Sequence, residues 1–356
     1  MKREQKAPFW VLVMLALTAL CTVVMVPVRM HQYLTCLDPN TGFWATADWT
    51  LFVLYGGVAL VCFVTLALSW LSRKKLVKPV FPEEQNSRLG FAGLLLALGF
   101  GYDIYAAGHT ALTAYTESYA SIYGTTTVVS SLMSNGFFSG VLEAAFALFS
   151  TAYFLIYALS LFQGTVSYQN RRILALSPVL WGISRMLGHF VEPISYRNVS
   201  QLWLELLLLA MAIIFYLSFA RIASGVEEES SMWILYFSGA SGAFLGFTCA
   251  LTPVLLTIAA NGDLIPADRP VQYVDLAFAI FATAVLAHYL KDHSKAKPVP
   301  PENFQKGTMK APAKLFTEEP ASAVKPTAAA GNKTIPTDHL SVKNPDPKVN
   351  VLNPKE

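Results

Sequence analysis

Hydrophobic and polar residues are arranged along this chain in long blocks rather than in short repeating patterns. Eight apolar stretches fill the first 290 residues, and a polar segment follows them. A helix needs about 20 apolar residues to cross the roughly 30 Å core of a bilayer, where its backbone groups must bond to one another. The pattern therefore predicts an all-α integral membrane protein, a bundle of eight transmembrane helices. The predicted spans cover residues 9–28, 49–71, 89–107, 137–162, 173–191, 202–220, 233–260 and 271–290.

Two of these stretches contain residues that disturb a membrane-spanning helix. The fifth is the least hydrophobic candidate, because it contains Pro178, Arg185 and His189. In the seventh, Pro253 is expected to kink the helix, since proline has no backbone N–H to donate. We therefore expect departures from a regular span at these two places.

Composition supports a membrane location and divides the chain in two. Hydrophobic residues make up 54% of the chain and charged residues 14%, whereas a soluble domain carries roughly 25% charged residues. We predict a transmembrane domain over 1–290 and a disordered, lysine- and proline-rich cytoplasmic tail over 291–356, because the tail has too few apolar residues to form a core. The net charge of +3 gives no indication of a nucleic acid partner.

The positions of lysine and arginine predict how the chain crosses the membrane, because these residues collect in cytoplasmic loops. The N-terminal segment and the loops after the second, fourth and sixth spans hold 11 of them, and the alternate loops hold three, namely Arg29, Arg197 and Arg269. Both termini are therefore predicted to be cytoplasmic, and we expect the plasma membrane as the location. The outer loop 108–135 contains no lysine or arginine. It is either a re-entrant segment that covers the outer mouth or a neutral surface loop.

Five charged residues interrupt the predicted spans, and all lie near the same face of the membrane. Ionisable residues inside a membrane commonly lie on substrate, ion or proton pathways, so a shared depth in five helices indicates a common polar cavity. Because arginine keeps its charge, we expect Arg185 to pair with Glu143 or Glu205. Helical rise places each of the five within roughly 10 Å of the outer face: Asp103, Glu143, Arg185, Glu205 and Asp275.

The fifth span concentrates polar side chains on one face. Trp181, Arg185, His189 and Glu192 recur every three or four residues, a spacing that puts them on one side of a helix. Gly182 beside them lets a neighbouring helix or a ligand approach the backbone closely. This face is expected to line the cavity, with His189 at its rim together with the acid of the third span.

One short motif resembles an enzyme. The segment 239–246 (GASGAFLG) resembles the GxSG element of rhomboid intramembrane proteases, which would make Ser241 a nucleophile and His288 its base. Only one predicted span follows Ser241, whereas that family places its histidine two helices later, and the family's WR loop and HxxxN elements are missing. Small residues recurring every four positions from Ser238 to Gly246 favour close helix packing instead.

The remaining motifs point away from catalysis. The chain contains no P-loop, dinucleotide fingerprint or metal-ligand motif, and no two of its four cysteines share a loop, so we expect no cofactor, metal site or disulfide. The predicted function is the binding or transport of a small polar solute or cation through an outer-leaflet polar cavity. The alternative is a membrane anchor or scaffold whose charges form a structural network and whose tail recruits a cytoplasmic protein. The candidate ligand-binding residues are Arg185, Glu143, Glu205, Asp275, Asp103, His189 and Trp181.

Overall fold

The computed structural model describes residues 9–38, 44, 48–73, 76, 85–120, 131–133, 135–191, 199–225, 232–265 and 271–295. Within these ranges the chain forms eight helices of 15 residues or more, and the described loops between them are short. The helices are α1 (Phe9–Thr35), α2 (Thr50–Ser72), α3 (Ser87–Ala120), α4 (Phe137–Gln163), α5 (Ser177–Val191), α6 (Val199–Ala223), α7 (Met232–Ile258) and α8 (Tyr273–Lys295).

Seven of these helices, all except α5, are long and apolar enough to cross a membrane, which indicates a multi-pass integral membrane protein. The remaining helix, α5, corresponds to the fifth predicted span and is shorter than expected. α5 has 15 residues, or about 22 Å of helix, and 3-10 turns at Ser167–Asn170 and Leu174–Leu176 precede it. Pro178 accounts for this late start, because proline suits the first turn of a helix and not its interior.

Two helices extend beyond the boundaries that hydropathy predicted. α1 continues past Val28 to Thr35, so Arg29 lies inside a helix and not in an outer loop. α3 continues to Ala120, so the first part of the predicted outer loop 108–135 is helical. The prediction failed at both places because polar residues end a hydropathy window although they do not end a helix.

The predicted kink in α7 takes the form of a π-helical segment, Phe247–Leu251, directly before Pro253. The proline ring clashes with the carbonyl four residues earlier and cannot donate to it. That carbonyl belongs to Cys249, and widening the helix here relieves the conflict. Such segments are frequent at functional sites, and the three central residues of this one, Thr248, Cys249 and Ala250, are buried.

Close contacts between helices hold the bundle together. α3 packs against α4 and α8, α5 packs between α4 and α6, and α7 packs against α2, α6 and α8. A Cβ atom on Gly182 would lie 2.7 Å from Ile213 Cγ1, which confirms the predicted close approach of a neighbouring helix. A Cβ atom on Gly246 would lie 2.9 Å from Ala279 Cβ, so this glycine brings α7 against α8.

The centre of the bundle is filled by aromatic side chains from α3, α4, α5, α6 and α8, called here the aromatic cluster. Most of its ring pairs meet edge to face or tilted, as between Phe100 and Trp181 (4.9 Å between centroids) and between Tyr216 and Phe278 (5.3 Å), and others are stacked, as between Phe100 and Phe154 (5.8 Å). These arrangements are the ones that aromatic quadrupoles favour. The members, all fully buried, are Phe100, Phe154, Trp181, Phe215, Tyr216, Phe219, Phe278 and Phe281.

The predicted tail lies outside the described residues, apart from the last turn of α8, which continues to Lys295. The predictions of disorder over 291–356 and of a partner bound there therefore remain predictions.

Candidate functional site

The strongest polar contact in the bundle joins Arg185 of α5 to Asp275 of α8. Arg185 Nη1 donates to Asp275 Oδ1 at 3.0 Å, and Nη2 donates to Oδ2 at 3.2 Å. The two side chains are 4% and 7% exposed. A bidentate pair of this kind matches the planar guanidinium to the carboxylate. Asp275 is therefore the main partner of Arg185, whereas the sequence pointed to Glu143 or Glu205.

Two further acids complete the surroundings of Arg185. Glu143 of α4 lies 3.8 Å from Arg185 Nε, a longer contact that agrees with one of the two predicted pairings. Asp103 of α3 accepts a hydrogen bond of 2.6 Å from Trp181 Nε1. The Arg185 guanidinium also lies over the Trp181 ring, 5.4 Å from its centroid, so one tryptophan connects the arginine to Asp103.

A second buried arginine, Arg29 of α1, lies in the same half of the bundle. Its Nη1 donates to Gln32 Oε1 at 3.0 Å and its Nη2 to Gln201 Oε1 at 2.6 Å. Gln201 in turn donates from Nε2 to Glu205 Oε1 at 3.0 Å. Tyr33 donates to the same Gln201 oxygen at 3.2 Å. Within the described part of the chain, no carboxylate forms an ion pair with Arg29.

These contacts form a single charged network in one half of the bundle. The carboxylates of Asp275, Asp103, Glu143 and Glu205 all act electrostatically on Arg185. Cys249, in the π segment of α7, lies within electrostatic range of both Arg29 and Glu205. The four acids predicted from the sequence therefore all lie within electrostatic range of Arg185, and two of them, Asp275 and Glu143, contact it. The charged network comprises Arg29, Asp103, Glu143, Arg185, Gln201, Glu205 and Asp275.

The two predicted rim residues, Asp103 and His189, differ in how deeply they are buried. Asp103 is 3% exposed and lies in the middle of α3, so it belongs to the interior of the network and not to a rim. Hydropathy ends this span at residue 107, so the prediction placed Asp103 near the outer end. The helix instead continues to Ala120. His189 is half-buried near the end of α5, and Glu192 on the same predicted face lies outside the described residues.

Access to the network is easiest beside Glu143, whose side chain is 18% exposed. A groove of about 490 Å³ runs between α4 and α5 and is lined by Ser139, Leu142, Phe146 and Ser184 among others. Glu143 and Arg185 are the sequence neighbours of Leu142 and Ser184 but are not among the lining residues of the groove. The groove walls are mostly apolar, so the groove itself favours a small apolar body.

Away from the network, the aromatic cluster fills the bundle. At the opposite end, Asn86 Nδ2 and His288 Nδ1 lie 2.9 Å apart. Trp181 and Tyr216 connect the cluster to the charges, because Trp181 bonds to Asp103 and Tyr216 lies within electrostatic range of Asp275 and Arg185. Within the described residues, the charged network therefore occupies one half of the bundle, and the aromatic cluster fills the interior toward the other end.

The structure does not bring together the pair that the rhomboid-like motif implied. Ser241 Oγ lies 2.7 Å from Thr65 Oγ1 of α2, while His288 bonds to Asn86. A Cβ atom on Gly242 would lie 3.0 Å from the Phe278 ring. The motif therefore serves helix packing, as the spacing of its small residues predicted.

Sequence reasoning missed Arg29 and Gln201, which extend the network across α1 and α6. Arg29 was assigned to a loop, and an uncharged glutamine at the start of a span carries no distinctive signal. Comparison with known protein families, with curated proteins and with solved structures finds no match for this chain.

Proposed function

We propose that this chain is a multi-pass membrane protein that binds a small cation, or a small solute bearing a cationic group, at the charged network. The observation that carries the proposal is the gathering of carboxyl groups inside the bundle. Four of them lie within electrostatic range of Arg185, and the side chain of one, Glu143, is 18% exposed.

Charge inside a membrane protein must be balanced, because an unpaired buried ion costs several kcal/mol. Carboxyl groups gathered in this way can hold protons or a bound cation, and both arrangements are typical of transport and binding sites. Arg185 and Asp275 neutralise each other through their bidentate contact. The acids proposed to contact the ligand are Glu143, Asp103 and Glu205, and Glu143 is the most exposed of the three.

In this proposal the ligand approaches Glu143 along the groove between α4 and α5. Arg185 orients the acids and excludes a second cation, and Trp181 offers its ring face, which attracts cations. The aromatic cluster separates the site from the opposite end of the bundle. Conduction across the membrane therefore requires the cluster to move, whereas binding alone does not.

The membrane arrangement belongs to the same proposal. α5 and the 3-10 turns before it form the eighth crossing, and an even number of crossings puts both termini on the same side of the membrane, which the basic residues predict to be the cytoplasm. The basic residues of the connecting segments support this orientation, which makes the charged half the outer half and the plasma membrane the expected location.

The competing function is an anchor or scaffold, in which the network only fixes the helices and the tail recruits a cytoplasmic protein. The closed, bidentate Arg185–Asp275 pair favours this alternative, because buried pairs can serve structure alone. The two functions predict different responses to an added solute: a binding site is stabilised by its ligand, whereas a purely structural network is not.

The test compares thermal stability in detergent across a panel of inorganic cations, amines, amino acids and organic anions. Wild type, Glu143→Gln and the control Glu117→Gln are measured in parallel; Glu117 is an exposed acid of α3 outside the network. A ligand that binds the folded state raises the melting temperature with its concentration.

The proposal predicts that a cation or amine stabilises wild type and Glu117→Gln but not Glu143→Gln. If no cationic compound stabilises wild type, or if the effect is equal in Glu143→Gln, cation binding at the network is excluded. Loss of folding in Glu143→Gln without ligand would favour the structural function instead.

A further inference from the structure

A second group of polar side chains lies where α1 ends and α2 begins. His31, Cys36 and Asp48 each offer one ligand atom, and these atoms lie within 4.8 Å of one another. The three residues are separate from the candidate ligand-binding residues of the charged network. They combine an imidazole, a thiol and a carboxylate, which are the three side-chain types that bind zinc.

The local fold explains why residues from both sides of a loop meet. α1 ends at Thr35, and the N–H groups of Cys36 and Leu37 both donate to Gln32 O at 2.9 Å. Leu37 and Trp44 form an antiparallel bridge, which folds the chain back toward the end of α1. Asp48 then follows, just before the first turn of α2.

The side chains are oriented toward a common point. Asp48 Oδ1 accepts the N–H of Trp49 at 2.7 Å, while Oδ2 lies 3.9 Å from Cys36 Sγ. The Thr35 hydroxyl lies 3.3 Å from His31 Nε2 and 3.3 Å from Cys36 Sγ. A single small group can therefore contact the imidazole and the thiol at once, and the free oxygen of Asp48 faces the same thiol.

These separations are close to those of a tetrahedral metal site. Zinc binds sulfur at about 2.3 Å, and nitrogen and oxygen at about 2.0–2.2 Å, so its ligand atoms lie roughly 3.5 Å apart. The sulfur–oxygen distance already approaches this value. His31 is exposed, so its imidazole can rotate to shorten the longest separation without disturbing the core.

We propose that His31, Cys36 and Asp48 form a binding site for a zinc-like divalent transition metal, with a fourth position open to water or another ligand. A thiolate and an imidazole favour zinc over calcium and magnesium, which prefer oxygen ligands. All four cysteines of the chain are free, so no disulfide engages Cys36.

The metal would fasten the end of α1 to the start of α2. Gln32, one residue after His31, already donates to Thr50 O at 2.8 Å and accepts from Arg29 of the charged network. The site therefore lies one helical turn from that network, and metal binding is expected to stabilise the junction between the end of α1 and the start of α2.

The test uses the full-length protein in detergent, stripped of metal with a chelator and titrated with Co²⁺. Cobalt bound to a thiolate gives a near-ultraviolet charge-transfer absorption, which Zn²⁺ abolishes by displacement. The expected result for wild type is one Co²⁺ per chain, and the same is expected for the control Cys21→Ser, which removes a cysteine of α1 outside the site. Cys36→Ser should show no charge-transfer band.

Two further variants separate a lost ligand from a lost fold. His31→Ala and Asp48→Asn should each weaken Zn²⁺ affinity by more than about tenfold while the melting temperature of the metal-free protein stays at the wild-type value. A wild-type protein without a charge-transfer band would overturn the proposal. So would Zn²⁺ affinity in Cys36→Ser or Asp48→Asn equal to that of wild type.

Discussion

The two buried arginines of the charged network are held in different ways. Arg185 has a bidentate carboxylate partner and a second acid at 3.8 Å. Arg29, which is 1% exposed, bonds to the amide oxygens of Gln32 and Gln201, and its Nε has no hydrogen-bond partner among the described residues. Arg185 is neutralised by direct contact with a carboxylate. Among the described residues, Arg29 is connected to a carboxylate through Gln201, which bonds to both Arg29 and Glu205.

This difference indicates separate roles for the two arginines. Removing Arg185 leaves acids buried without a counter-charge, whereas removing Arg29 also removes a charge that the bundle balances poorly. Substitution of each arginine by methionine, a flexible apolar residue, measures how much stability depends on direct pairing.

The largest effect is expected for Arg185→Met. Breaking a buried pair by removing one partner costs roughly 3–5 kcal/mol, because Asp275 and Glu143 lose the charge beside them. The free energy of unfolding can be measured by circular dichroism during denaturation in sodium dodecyl sulfate. Arg171→Met, at an exposed arginine, should change it by no more than about 0.5 kcal/mol. Equal effects of the two substitutions would show that the pair is not important for stability.

The next effect in size is expected for Trp181→Phe, which removes the N–H that bonds to Asp103. A hydrogen bond to a charged group contributes about 1.5–3 kcal/mol, and the same denaturation measures its loss. Trp233→Phe, at a half-buried tryptophan of α7, controls for the smaller ring. If both variants lose the same stability, the contact with Asp103 contributes nothing beyond packing.

Arg29→Met should cost about 1 kcal/mol, less than half the loss in Arg185→Met. The lost hydrogen bonds to the amide oxygens are partly offset because a poorly paired charge no longer has to be buried. Denaturation of the two variants side by side gives the comparison directly. A loss in Arg29→Met as large as that in Arg185→Met would contradict the distinction between the two arginines.

The smallest effect is expected for Ser241→Ala, which removes a neutral hydrogen bond of 2.7 Å to Thr65. Hydrogen bonds between transmembrane helices contribute about 0.6 kcal/mol on average. Ser238→Ala, whose hydroxyl bonds within its own helix to Ile234 O, is the matched control. A loss above about 2 kcal/mol in Ser241→Ala would show that this contact exceeds the range for a neutral pair.

The sequence predicted most of the helices and the depth of the charges. Long apolar blocks located all eight helices, and counting residues from the span ends placed Glu143, Arg185 and Asp275 in one half of the bundle, as observed. The same method misplaced Asp103, because hydropathy ends the span at residue 107 whereas α3 continues to Ala120.

The contacts between polar side chains were harder to predict than the depths of the charged residues. Asp275 was a candidate of the right depth, yet nothing in one sequence shows that α8 rather than α6 faces Arg185. The possible metal ligands were missed for a similar reason: His31 and Asp48 lie on opposite sides of a loop, and a bridge between Leu37 and Trp44 brings them together. Such contacts depend on tertiary structure and leave no local pattern.

The most direct test of the proposed site is infrared spectroscopy of the detergent-solubilised protein, in the region where protonated carboxyl groups absorb. A site that takes up protons or cations at Glu143 predicts a protonated-carboxyl band at neutral pH that weakens in Glu143→Gln, stays unchanged in Glu117→Gln, and decreases when a stabilising cation is added. A spectrum without such a band, and without any change on adding cations, would contradict a network that takes up protons or cations.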